Sequence, residues 1–107
     1  MRRIFKYELT LEDVCMIESY NFFDPLCVKV QNGKPVLYAV VDDETDKCKH
    51  RIEIYGTGFK VNSYLDSSKY IGTFMLNDAE LVFHVFINGS FLCTSNPVVS
   101  KKNSPNS

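Results

Sequence analysis

The chain has no tryptophan, no CxxC pair, no basic excess and no long apolar run. Each absence removes a class of function. A formal net charge of -1 argues against a protein that wraps duplex DNA, which needs a clear excess of Lys and Arg to neutralise phosphates. A pocket for a small anion is still open, because it needs only a few donors. No run approaches the ~18 apolar residues that span a bilayer, so no membrane association is expected. Met1-Arg2-Arg3 leads directly into an alternating pattern rather than an apolar signal segment. Four widely spaced cysteines, Cys15, Cys27, Cys48 and Cys93, then read as reduced thiols of a cytosolic protein, with two disulfides in a secreted domain as the alternative. GxSxG, HExxH and paired carboxylates of recognisable spacing are all missing, which lowers the expectation of an enzyme.

What is present is typical of one folded domain. The 107 residues suffice for a single core, and hydrophobic residues make up 45% of them. Aromatic content is carried by eight Phe and six Tyr, which suit strands. Arg3–Leu9, Leu26–Gln31 and Arg51–Tyr55 alternate apolar and polar residues as half-buried strands do. Val14–Tyr20 is read as a strand in preference to a short helix from Leu11 to Ser19, because Val14, Ile17 and Tyr20 have modest helix propensity. Asn21–Pro25 is expected to be a loop. Asn32-Gly33 is a strong two-residue hairpin signal, and Val36–Val41 is apolar enough to be central and covered on both faces.

Phe74–Leu76 and Leu81–Ile87 flank the polar break Asn77–Glu80, which predicts a hairpin at the centre of the sheet. Asn88-Gly89 suggests one more tight turn, into a short strand Ser90–Thr94. From Ser95 the composition becomes polar. The chain therefore divides into a β domain, 1–94, and a tail, 95–107. Six to seven short strands and at most one short helix predict an all-β fold, a small antiparallel sandwich or partly open barrel. Few helices are available to cover a sheet face, so a homo-oligomer is expected.

Gly56-Thr57-Gly58 is the most site-like stretch. Two glycines let the backbone approach a ligand, and successive N–H groups can form an anion nest flanked by Arg51 and Lys60. The plainer reading is a turn at a strand end. Tyr55 and Phe59 could stack on a base. His84 sits in an apolar strand, on one face with Val82 and Phe86, and reads either as a satisfied histidine or as a base with an unidentified acidic partner. Asp42, Asp43, Glu44 and Asp46 lack the glycine and terminal glutamate of a calcium loop, and Cys48 with His50 lacks further ligands at metal spacing. Neither a metal nor a cofactor is expected.

The order IFKYEL (Ile4–Leu9), VQNGKP (Val30–Pro35), IYGTG (Ile54–Gly58), YIGTF (Tyr70–Phe74) and LVFHVF (Leu81–Phe86) resembles a family of small phage- and prophage-encoded proteins classed as a domain of unknown function. The resemblance spans Arg3 to Phe86. Members of that family often carry His directly after GTG, where this chain has Phe59, and tend to end soon after HVF. No role of that His, and none of the tail, is carried over. The resemblance implies a small accessory protein of the host bacterial cytoplasm that acts by binding. One form of that expectation sequesters a cyclic nucleotide immune signal, a small anionic ligand, with Arg51, Tyr55, Gly56, Thr57, Gly58, Phe59 and Lys60 as its site. The alternative is inhibition of a host defence protein through a sheet edge, the acidic loop or the tail. A small hydrolase using His84 and a phage structural or assembly protein are further readings.

Overall fold

The computed structural model describes residues 1–92; Cys93, Thr94 and the tail 95–107 lie outside the described residues. Seven strands follow in chain order: β1 (Arg2–Glu8), β2 (Val14–Tyr20), β3 (Phe23–Gln31), β4 (Lys34–Asp42), β5 (Lys47–Gly56), β6 (Tyr70–Leu76) and β7 (Leu81–Leu92). They form two antiparallel sheets, one ordered β1-β4-β3 and the other β2-β5-β7-β6. A 3-10 turn, Ser67–Lys69, precedes β6; Asp66 caps it by accepting the Ser68 N–H at 2.9 Å. The fold is thus the expected all-β class, and Val14–Tyr20 is a strand. No helix among the described residues is long and apolar enough to cross a membrane.

Alternation on each strand builds the core between the sheets. Val28, Leu37, Ala39 and Val41 from one sheet meet Cys15, Ile17, Ile52, Ile54, Phe74 and Val85 from the other. Leu37, Val41, Ile52 and Val85 are sealed from water, each gaining ~1.5–3 kcal/mol by burial. The sheets approach most closely where β3 passes β6. A Cβ on Gly72 would lie 3.3 Å from the Val28 backbone nitrogen, so only glycine fits there without displacement.

Asn32 and Gly33 both have positive φ and close a two-residue hairpin, as their sequence predicts. Four expectations are corrected. The Phe74–Ile87 hairpin is not central as a unit, since β7 lies inside its sheet but β6 forms the edge. Asn88-Gly89 is not a turn. β7 runs through it to Leu92, and the register against β5 slips between His50↔Ser90 and Ile52↔Ile87. That slip is a bulge with Gly89 at φ 107, the positive-φ geometry that favours glycine. Pro25 is not in a loop. It lies in β3, where a second bulge between Pro25 and Cys27 interrupts the ladder. Val36–Val41 is central in its sheet, but only its inner face meets the other sheet; on the outer face Val36 is buried while Tyr38 and Val40 are half-buried.

The core also contains a histidine. His50 is 1% exposed, with its ring stacked on Phe23 at 4.1 Å between centroids. Nε2 lies 2.8 Å from the Tyr20 carbonyl oxygen, which can only accept, so Nε2 carries the proton. Nδ1 then accepts from the Ser90 hydroxyl at 2.7 Å. Burial pushes the imidazole pKa below its usual 6.5, against the opposing pull of the Tyr20 carbonyl.

The folded state therefore binds fewer protons than the unfolded chain near pH 6. Stability should be full above the ordinary imidazole range and fall as pH drops through it, by at most ~1.4 kcal/mol per pH unit from this group. Denaturant titrations of the wild type and His50→Gln between neutral and mildly acidic pH check this; the substitution should flatten that part of the profile. A second expectation concerns the β6–β7 turn, where Ala79 sits at φ 73. Ala79→Gly should stabilise the protein by ~0.5–1 kcal/mol, read as a raised melting temperature, by relieving a left-handed conformation that a Cβ disfavours.

Candidate functional site

The outer face of the four-stranded sheet carries the polar chemistry. On β5, Arg51, Glu53 and Tyr55 alternate with the core residues Ile52 and Ile54, so all three project outward. Glu53 is nonetheless only 2% exposed. Its Oε1 accepts the Tyr55 hydroxyl at 2.6 Å; its Oε2 accepts Arg51 Nε and Asn88 Nδ2, each at 2.8 Å. The β7 bulge brings Asn88 into this group. Burial raises the Glu53 pKa, but hydrogen bonds from Tyr55, Arg51 and Asn88 outweigh it and hold the carboxyl below its usual 4.5. Burial and the bond to Glu53 both push Tyr55 upward, so its hydroxyl stays protonated and donating.

The segment after β5 folds back beside this network. Arg51, Glu53, Tyr55, Phe59, Lys60 and Asn62, with Asp13, line a cleft of about 420 Å³. Asp13 is positioned by its backbone, whose carbonyl accepts the Ile54 N–H at 3.0 Å. Asn62, at the far end of the loop, accepts the Leu65 N–H through its carbonyl at 3.0 Å and lines the same cleft. Phe59 is 70% exposed and rests on Gly56, where a Cβ would come within 3.4 Å of its ring. Its other side borders a second cavity of about 300 Å³, lined also by Gly56, Thr57 and Glu80–Phe83.

The structure therefore gathers Arg51, Tyr55, Phe59 and Lys60 into one cleft and places Gly56 and Thr57 on its neighbour; Gly58 lines neither. The Gly56–Gly58 stretch is a turn whose donors are partly committed. Thr57 N–H donates to the Val82 carbonyl and Phe59 N–H to that of Gly56, each at 3.0 Å. An anion in this cleft would meet side-chain cations rather than a backbone nest. Glu53, Asp13, Asn62 and Asn88 were not anticipated. The alternation Arg51-x-Glu53-x-Tyr55 does signal that Glu53 shares the face, but nothing local signals the other three.

His84 lies outside the cleft. Its Nε2 is 2.7 Å from Thr57 Oγ1 and its Nδ1 3.0 Å from Thr73 Oγ1, which in turn lies 2.5 Å from the Tyr70 hydroxyl. Both ring nitrogens are engaged by hydroxyls, and no carboxylate is among the ring's partners among the described residues. The acidic loop is also occupied. Arg3 Nε donates to Asp43 at 2.6 Å, and the amino group of Met1 reaches Asp42, Asp43 and Glu44 within 3.2 Å. Among the described residues, no group of three or more His, Cys, Asp or Glu side chains could hold a metal ion.

The model of a domain of unknown function, DUF7352, matches residues 1–91, and the chain belongs to that family. No curated protein and no solved structure matches it.

Glu53 is the keystone of this site, and its removal should show in stability. Glu53→Ala leaves Tyr55, Arg51 and Asn88 without their acceptor and should cost ~2–4 kcal/mol. Glu53→Gln, which keeps the shape but not the charge, should cost ~1–2 kcal/mol. Because the folded pKa is depressed, the wild type holds this contribution above about pH 4.5 and loses it as pH falls further. Urea titrations at neutral pH and at pH 3 check this, and the gap between wild type and Glu53→Gln should narrow at the lower pH.

Proposed function

We propose that the chain is a non-enzymatic binding protein whose cleft beside Tyr55 holds a small ligand of nucleotide type. The observation that carries this reading is the convergence of two aromatic rings and two cations, Tyr55, Phe59, Arg51 and Lys60, on one cavity of about 420 Å³. That volume falls within the ordinary range for small-molecule sites. Lys60 makes no ion pair among the described residues, and Glu53 engages Arg51 only through Nε. The remaining guanidinium donors are available to a phosphate. Arg51 and Glu53 cancel, as do Lys60 and Asp13, so the cleft suits a ligand of low charge with hydroxyl or amino donors for Asp13 rather than a polyanion. A base would lie against Phe59 or Tyr55.

In its biological form this reading is counter-defence. The protein would act in the cytoplasm of a bacterial host and sequester a cyclic nucleotide immune signal. That part rests on the resemblance to phage-encoded proteins and not on the cleft.

Isothermal titration against cyclic dinucleotides, cyclic ADP-ribose isomers and mononucleotides tests the reading. Heat with at least one of them is expected, with affinity reduced about tenfold or more by Lys60→Ala or Phe59→Ala. Absence of heat across the whole panel would rule out the nucleotide reading.

A further inference from the structure

The outer edge of β1 carries a second pattern, separate from the cleft. β1 is an edge strand that pairs only with β4 among the described residues. It is also exposed on both faces, Tyr7 being its sole half-buried residue; Ile4 is 63% exposed and Phe5 37%. Edges of this kind are usually blunted or covered.

The ladder shows which backbone groups are open. Leu9 N–H donates to the Pro35 carbonyl at 3.0 Å, and Asp43 N–H donates to the Met1 carbonyl at 3.2 Å. Both pairs continue the β1–β4 register, in which Arg3 meets Val41, Phe5 meets Ala39 and Tyr7 meets Leu37. In an antiparallel ladder, hydrogen-bonded pairs alternate with non-bonded ones. The odd-numbered residues of β1 thus spend their N–H and C=O on β4. Arg2, Ile4, Lys6 and Glu8 direct theirs outward, to the free edge.

We propose that this edge pairs with the same edge of a second copy of the chain, antiparallel, about a two-fold axis at Phe5. In that register Arg2 lies opposite Glu8 of the second copy, Ile4 opposite Lys6, Arg3 opposite Tyr7, and Phe5 opposite itself. The even-numbered residues form the hydrogen-bonded pairs, as their outward groups require, and Phe5 falls on a non-bonded pair where side chains come closest. No like charges face each other. Sliding by two residues one way sets Arg2 against Lys6, and the other way sets Lys6 against Lys6; a slide of one residue breaks the hydrogen-bond parity. Among slides of up to three residues, charge and parity therefore select this register. Arg2 stacks its guanidinium on Phe22 at 4.2 Å, which leaves the edge of that planar group free for a carboxylate. The product is a continuous six-stranded sheet, three strands from each copy. The interface uses no cleft residue.

Sedimentation equilibrium of the full chain tests this pairing. A reversible species of twice 12.3 kDa is expected. Ile4→Pro removes an outward N–H without touching the ladder to β4, and each dimer carries the change twice, so dimerisation should weaken roughly thirtyfold. Arg2→Glu alone and Glu8→Arg alone should each weaken it by placing like charges opposite, and the double exchange should restore it. That rescue separates the interface from a general loss of folding, should Ile4→Pro fail to fold. Phe5→Cys should give a disulfide-linked dimer on mild oxidation. A chain monomeric at millimolar concentration, or a dimer indifferent to Ile4→Pro and both single charge changes, or a double exchange without rescue, would overturn the proposal.

Discussion

A carboxylate almost sealed from water must have its oxygens satisfied, and Glu53 imposes that constraint on everything around it. It projects from the outer face of β5, which no second sheet among the described residues covers. Its cover is made of its own hydrogen-bond partners. Arg51 is drawn along the strand, Tyr55 is held with its hydroxyl pointing back, and Asn88 is supplied by the bulge in β7. Phe59, Lys60 and Asn62 of the segment after β5 lie beside this network. The cleft is the space left beside this tied-down group. A hydrophobic residue at position 53 would remove the need for these partners.

The same strand carries a second buried polar group on its opposite face. His50 faces the core, stacked on Phe23 and bonded to the Tyr20 carbonyl and the Ser90 hydroxyl. Ser90 follows the bulge just as Asn88 begins it, so one irregularity in β7 serves both faces of β5. Without the extra residue, the strand could not present Asn88 outward at Glu53 and Ser90 inward at His50 in this register. Gly89, at positive φ, makes the irregularity inexpensive.

Much of this was legible in the residues. Period-two alternation placed Arg51, Glu53 and Tyr55 on one face, opposite Ile52 and Ile54. Asn32-Gly33 marked its hairpin because few other pairs tolerate positive φ twice in succession. Asn88-Gly89 misled for the same reason. A glycine at positive φ serves a bulge as well as a turn, and only the partner strand distinguishes the two. Pro25 misled because a proline in a strand is tolerated at an edge, and no local feature showed that β3 would be one. The importance of Glu53 was hidden, since a glutamate in an alternating strand ordinarily faces water.

By itself, the sequence determined the all-β class, most strand positions, the faces of side chains in the regular stretches, and the charge pattern of β1. These depend on local sterics and on alternation, which adjacent residues settle. Only the tertiary structure decided which strands are neighbours, where the bulges fall, that Asn88 bonds Glu53, and that Asp13 and Asn62 line the cleft beside it. Those residues are far apart in the chain. Their meeting depends on how two sheets pack to bury a shared core, and no local pattern encodes that.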